Sequence, residues 1–167
     1  MSSTVLSTAT SSSTTSSQAA SPSAVPARAV PHVVRLTSVS HPGALVRALA
    51  ASRELWAPHV RFDPTAPALR VVWADDRHEA LLGAWLPGQA SPVHTHLGRP
   101  GALLVLQGVL EETTWVTATD GAEPGRRHAV RRHLVADEVR SYGAVHVHGL
   151  RNDGTDPVIA LHVLARA

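Results

Sequence analysis

The chain has 167 residues, a formal net charge of only +2 and no cysteine. It is long enough for one domain with its own core, and the absence of cysteine excludes disulfides, thiolate metal ligands and a cysteine nucleophile. Because no apolar run reaches the roughly 18 residues of a membrane-spanning helix and the N-terminal segment lacks the features of a secretory signal, we expect a cytoplasmic protein with no membrane partner.

Residues 1–31 consist almost entirely of Ser, Thr, Ala and Pro, with very little charge. Such a segment buries too little apolar surface to offset the entropy lost on ordering. We therefore predict a disordered tail over 1–31 and a single domain over 32–167.

One segment, "SVSHPGALVRALAASRELWAPHV", has the apolar period of a helix. Ser40 is a candidate N-cap, Pro42 suits the first turn and Pro58 ends the segment. The spacing predicts a leading helix at about 41–56, whose apolar face consists of Leu45, Val46, Leu49 and Trp56.

The remainder of the chain has the pattern of short β-strands separated by turns rich in Gly, Pro and Asp. Strands at such close spacing, without a long helix between them, are typical of an antiparallel sandwich or barrel. We predict a small, mainly β barrel behind one helix, with strands in "LRVVWA", "EALLGAWL", "GALLVLQGVLEETTWVTA", "HAVRRHLV", "EVRSYG", "VHVHGLRN" and "PVIALHVLA".

The densest basic stretch is "RRHAVRRHL", which contains no aromatic residue. Proteins that bind single-stranded nucleic acid combine basic grooves with aromatic side chains that stack on bases. We therefore interpret the stretch as a solvated strand or loop and expect no nucleic-acid partner. Separately, we expect the protein to be a monomer.

The histidines of the chain are the candidate ligands of a metal site. His94 and His96 lie two residues apart, as do His146 and His148, and His162 lies on a further β-like segment. On a strand, residues two apart project to the same face, so each pair can chelate one ion. Two such pairs in a chain without cysteine predict a metal site built from imidazoles.

The first histidine pair lies in a spaced motif. Gly88, five residues, His94-Thr95-His96, four residues, Gly101, six residues and Gly108 follow one another. This resembles the first motif of the cupin superfamily, except that most metal-binding cupins have glutamate where Gly101 stands. The second motif places a histidine ahead of an asparagine, and either His146 or His148 fits part of it.

Longer stretches resemble the cysteine dioxygenase family of thiol dioxygenases, especially its bacterial members, from about Arg61 onward. These stretches are "WLPGQASPVHTH", "GALLVLQGVLEETTW" and "VHGLRNDGTDPVIALHVL". The resemblance implies a cupin-type jelly-roll, Fe(II) held by His94, His96 and His148, and a reaction of a small thiol with O2. Cysteine or a relative such as 3-mercaptopropionate would then be oxidised to a sulfinate.

The family's second histidine motif also implies a Ser-His-Tyr triad beside the iron. His162 matches the histidine, but Ala160 stands at the serine position and Leu164 at the tyrosine position. Tyr142, the only tyrosine, is a second candidate catalytic residue beside His162, and Arg70 is the nearest candidate for the arginine that grips the substrate carboxylate.

Two neighbouring carboxylates, Glu111 and Glu112, fall outside the ligand spacing, and we interpret both as solvated.

The departures from the triad keep a second hypothesis open: a non-catalytic or regulatory cupin that binds a small ligand. A third alternative is another metal-dependent cupin enzyme, such as an isomerase, although the missing motif glutamate argues against it.

Overall fold

The computed structural model describes residues 41–117 and 127–166. The predicted tail over 1–31 lies outside these residues. The described residues begin with helix α1 (Pro42–Ala51), continue with the short helix α2 (Arg53–Trp56), and then form one 3₁₀ turn over Ala57–His59.

The predicted helix over 41–56 is therefore present, but it is interrupted near its end. The N-cap is His41, not Ser40: its Nδ1 accepts a hydrogen bond of 3.1 Å from the backbone N–H of Gly43. At the break, the Ser52 hydroxyl donates back to the Ala48 carbonyl at 3.1 Å. A serine that bonds the preceding turn in this way competes with the regular helical ladder.

Strands then follow one another to the end of the described chain. Their bounds are β1 (Ala68–Ala74), β2 (His78–Trp85), β3 (His94–Thr95), β4 (Gly101–Gln107), β5 (Val109–Thr117), β6 (Arg127–Val135), β7 (Val139–Tyr142), β8 (Val147–Arg151) and β9 (Val158–Ala165).

The strands form two hydrogen-bonded sheets. One has five strands in the order β1-β2-β9-β4-β7, and the other has four in the order β3-β8-β5-β6. Every strand pair within these sheets is antiparallel. The predicted mainly β, antiparallel fold with a leading helix is confirmed, but within 41–117 and 127–166 the strands make two sheets and no closed barrel.

Alternation along the five-stranded sheet gives it two apolar faces. Leu82, Leu104 and Leu161 pack against α1 on one face. Leu103 and Ala160 point to the other face, where they meet Leu110, Leu134 and Leu150 of the four-stranded sheet. The second face therefore forms the interior between the sheets, and the histidines lie at its edge.

No helix within the described residues is long and apolar enough to cross a membrane.

Candidate metal centre

The first histidine pair lies at the end of a loop that is fastened to β8. Gly88 adopts φ +80°, a conformation that favours glycine, and its N–H donates to the Asn152 carbonyl at 2.8 Å. The N–H of Ser91 donates to the Leu150 carbonyl, also at 2.8 Å. These bonds bring the loop to strand β3, where His94 lies directly opposite His148 of β8.

Three histidines converge at this point. Ligand nitrogens of His94, His96 and His148 all lie within 4.8 Å of one another, and Nε2 of His96 is 3.1 Å from Nε2 of His148. Two nitrogens that each lie about 2.1 Å from one metal ion at a right angle are separated by about 3 Å. The three imidazoles therefore form a group that can hold a metal ion.

The environment favours the neutral form of His96 and His148, which is the form that binds metals. Burial, with the neighbouring His148 and His94, lowers the pKa of His96 to about 4. Burial also lowers the pKa of His148, although Glu112 opposes this shift. His94 donates from Nδ1 to the Pro92 carbonyl at 2.8 Å, so its Nε2 carries a free lone pair.

A buried carboxylate behind the histidines was missed in the sequence. Glu112 is only 1% exposed, so its interpretation as solvated is wrong. Its Oε1 accepts from Nδ1 of His148 at 2.8 Å and from Nε2 of His146 at 2.9 Å, and its Oε2 accepts from Nε of Arg140 at 2.9 Å. Strand alternation was the available signal, because Glu112 lies two residues after the inward-facing Leu110.

Glu112 remains ionised in this setting. Burial works to raise its pKa, but the hydrogen bonds from His146, His148 and Arg140 hold the pKa well below its usual range. A carboxylate that accepts from Nδ1 fixes the tautomer of a histidine and directs its Nε2 outward. This explains why Nε2 of His148 faces His96.

The same contacts distinguish the two histidines of "VHVH". His146 directs its Nε2 to Glu112, whereas His148 uses Nδ1 for Glu112 and leaves Nε2 beside His96. The geometry therefore favours His148 over His146 as the partner of His94 and His96. Glu112, His146 and His148 also form a tight group, in which the carboxylate oxygen is already shared by both rings.

The two predicted catalytic residues are in direct contact. The hydroxyl of Tyr142 forms a short hydrogen bond with Nε2 of His162. Tyr142 is 8% exposed and stacks on His96 with ring centroids 5.0 Å apart, and the His162 ring lies 4.8 Å from that of His96. Because burial raises the pKa of Tyr142 and lowers that of His162 well below its usual value, a neutral tyrosine donates its O–H to a neutral histidine.

Tyr142 reaches this position from a different strand than the resemblance implies. Gly101 of β4 lies between Leu164 of β9 on one side and Tyr142 of β7 on the other. The family's tyrosine would stand at Leu164, whereas the tyrosine of this chain occupies the opposite neighbour. A Cβ on Gly101 would lie 2.5 Å from the Tyr142 hydroxyl oxygen, so the ring needs glycine there.

Comparison with known proteins identifies the family of this chain. The family model for cysteine dioxygenase type I matches residues 11–165, nearly the whole chain. This chain belongs to the cysteine dioxygenase type I family. No curated protein sequence gives a significant match.

Solved structures support the fold of this family member. The protein TT1209 from Thermus thermophilus is 28% identical, with a TM-score of 0.53, and the match covers 65% of this chain and 91% of that one. A double-stranded β-helix protein from Klebsiella pneumoniae is 23% identical, covers 65% and 84%, and has a TM-score of 0.51. The cupin domain of Cnp3 from Schizosaccharomyces pombe is 16% identical, covers 66% of each chain, and also has a TM-score of 0.51. The cupin-type fold expected from the sequence is therefore confirmed.

One predicted residue of this cysteine dioxygenase family member is not brought to the site. Arg70 pairs with Leu82, and Leu82 pairs with Leu161 on the face that packs against α1. His162 points to the opposite face, because it is adjacent to Leu161 along β9. The prediction that Arg70 binds the substrate carboxylate is therefore not supported, since this exposed arginine lies on the wrong face of the sheet.

A bulge in β1 explains why Arg70 lies on the face opposite to the one that the prediction requires. The register shifts by one residue between Val71 and Trp73. Without this shift, the pairing of Trp73 with Ala80 would continue to place Arg70 opposite Gly83, on the interior face. A β-bulge reverses the alternation of every residue beyond it. Here it places Leu69, and not Arg70, opposite Gly83, on the same face of the sheet as His162.

Proposed function

We propose that this chain is an iron-dependent thiol dioxygenase, which adds both atoms of O2 to the sulfur of a small thiol to give a sulfinate. Cysteine and related thiols such as 3-mercaptopropionate are the substrates that the family resemblance implies. The observation that carries the proposal is the convergence of His94, His96 and His148 in a member of the cysteine dioxygenase type I family.

The residues present fit Fe(II). Imidazole nitrogens suit this ion, and the Glu112 carboxylate is engaged by Arg140, His146 and His148. His94, His96 and His148 would hold the ion as three neutral ligands. When bound, Fe(II) supplies the one-electron chemistry that allows dioxygen to react with a thiolate.

The reaction needs no external reductant. A thiol and one O2 give one sulfinic acid: the O–O bond breaks, two S–O bonds form, and sulfur loses the four electrons that reduce the two oxygen atoms. The thiol proton is released with the sulfinate at neutral pH. The protein must therefore bind and orient the thiol, exclude water and position hydrogen-bond donors.

We assign the donor role to the Tyr142–His162 pair. Because Nε2 of His162 accepts from the tyrosine hydroxyl, the ring proton of neutral His162 resides on Nδ1. His162 also lines a cavity together with His94. It can therefore orient a bound group by donating from Nδ1, while Tyr142 fixes its tautomer.

The alternative function is that of a non-catalytic cupin that binds a small ligand. Ala160 and Leu164 favour this alternative, because they stand where the family resemblance implies serine and tyrosine. The two functions differ in dioxygen consumption but not in the ability to bind a thiol.

Oxygen uptake by the Fe(II)-loaded protein tests the proposal, with cysteine, 3-mercaptopropionate, cysteamine and the uncharged 2-mercaptoethanol offered in turn. We expect uptake coupled to sulfinate formation, and we expect His94→Ala to lose both iron and uptake. His128→Ala is the matched control, since His128 is exposed on β6 and should retain both. Iron that is bound without any uptake would contradict the proposal and favour the binding protein.

A further inference from the structure

The cavity beside the histidines has an apolar wall. It measures about 30 Å³ and extends from His94 and His162 between the two sheets. Leu69, Leu103, Leu150 and Ala160 contribute aliphatic side chains to its wall. A cavity this narrow accepts only a small ligand, and the leucines leave most of that ligand without a polar partner.

No cationic side chain lines this cavity within residues 41–117 and 127–166. Arg70 points to the opposite face of the sheet. Arg99 donates to the Ala165 carbonyl and pairs with Glu79 at 2.8 Å, and Arg140 pairs with Glu112 at 2.9 Å. A carboxylate on the ligand would enter an apolar space without a countercharge, which is strongly unfavourable.

Besides His162, the cavity is lined by a second side chain with a free donor, Trp85. Trp85 is 2% exposed, and its Nε1 is buried without any hydrogen-bond partner in the described part of the chain. The Ser91 hydroxyl, which also lines the cavity, is already satisfied, because it accepts from the Leu150 N–H at 3.1 Å and donates to the Leu150 carbonyl at 3.4 Å. Buried indole N–H groups usually have a partner, so a bound ligand is the natural acceptor.

From these contacts we propose that the cavity selects a small thiol with an uncharged tail, whose one hydrogen-bond acceptor is bound by Nε1 of Trp85. This inference rests on the proposed function and narrows its substrate class away from amino acids and thiol carboxylates. The cavity matches such a ligand in its apolar wall and in the unpartnered indole N–H of Trp85.

Binding of four thiols to the Fe(II)-loaded protein without dioxygen tests the inference by calorimetry. The probes are 2-mercaptoethanol, ethanethiol, 3-mercaptopropionate and cysteine. We expect 2-mercaptoethanol to bind at least about tenfold more tightly than either carboxylate, since an unpaired buried charge costs more than a lost neutral hydrogen bond. Tighter binding of cysteine or 3-mercaptopropionate would overturn the inference.

Trp85→Phe separates the indole N–H from the shape of the ring. We expect the Kd of 2-mercaptoethanol to rise about fivefold, the typical effect of one hydrogen bond, while the Kd of ethanethiol, which has no oxygen acceptor, changes less than about twofold. An equal change for both thiols would assign Trp85 a packing role only and would contradict the inference.

Leu69→Arg supplies the missing cation, and Leu69→Gln is its uncharged control. Leu69 is 56% exposed, so a longer side chain can be accommodated. We expect only the arginine variant to gain affinity for 3-mercaptopropionate, and no gain would contradict the proposed position of the ligand tail. Because these measurements exclude dioxygen, tight binding of a neutral thiol combined with no oxygen uptake would reject the dioxygenase function and leave the cavity's selectivity standing.

Discussion

The Oε1 atom of Glu112 accepts a 2.8 Å hydrogen bond from Nδ1 of His148, and both side chains are almost completely buried. The opposite nitrogen of the same ring faces His96 at 3.1 Å. The ring of His148 thus connects the Glu112 carboxylate, through Nδ1, to the potential metal position, through Nε2. Such a carboxylate orients the ring and raises its basicity as a ligand.

Glu112→Gln tests this relationship. We expect Fe(II) affinity to fall by about 10- to 100-fold, because an amide keeps the shape of the side chain but supplies less negative charge to the imidazole. Competition with a chelator measures the affinity. Glu111→Gln is the control, since Glu111 points to the other face of β5, and equal losses for both variants would contradict the assignment.

Tyr142→Phe removes the hydroxyl that bonds His162 and leaves the aromatic stack on His96. We expect unchanged iron content, a lower kcat and a free energy of unfolding reduced by about 1 kcal/mol, since a buried acceptor loses its donor. The measurements are metal analysis, oxygen uptake and denaturant unfolding. An unchanged kcat with every tested thiol would show that the pair has only a structural role.

Gly101→Ala tests how closely Tyr142 packs on β4. The added Cβ would lie 2.5 Å from the tyrosine oxygen and 2.6 Å from the Val163 carbonyl oxygen. We expect a loss of about 1–3 kcal/mol in the free energy of unfolding, as in other overpacked cores. Gly143→Ala is the control, because no atom lies within 4 Å of its added Cβ, and equal stability of the two variants would contradict this packing.

The metal-free protein should lose stability as the pH falls. In the folded state, burial and the neighbouring histidines lower the pKa of His96 to about 4, whereas the unfolded value is about 6.5. Between these values the unfolded chain binds more protons, so the stability present above about pH 6.5 declines as the pH falls toward 4. Denaturant unfolding at several pH values measures this slope; His96→Leu should flatten it, and a slope unaffected by that change would contradict the role of His96.

Local patterns in the sequence were sufficient for the strands and for the histidine pairs. A strand has a period of two, so His94 and His96 could be placed together without knowledge of the fold. The choice of His148 as the third ligand followed only from the family resemblance, and its position opposite His94 across β3 and β8 came from the structure, because strand order is not written in any one segment.

Two residues show where such patterns become insufficient. Glu112 stands beside Glu111 and resembles half of a solvated pair. Alternation with Leu110 indicates its inward face, but its partners His146, His148 and Arg140 lie far away in the sequence. Arg70 lies beyond a bulge between Val71 and Trp73. A shift of one residue in register moves a side chain to the other face of a sheet, and no residue type in "LRVVWA" marks that shift.

The N-cap of helix α1 also differs by one residue from the sequence prediction. Ser40 is the better cap by preference, yet His41 accepts the bond from the Gly43 N–H. Pro42 begins the helix directly after His41, so the cap lies one residue later than the serine predicts.

Isotope labelling of the product tests the central claim most directly. The Fe(II)-loaded protein would be supplied with ¹⁸O2 and a thiol, and the sulfinate would be analysed by mass spectrometry. A thiol dioxygenase at His94, His96 and His148 predicts a sulfinate in which both oxygen atoms carry the label, and no labelled product from the His94→Ala variant. A product with one labelled atom or none, or equal labelling by that variant, would contradict the account.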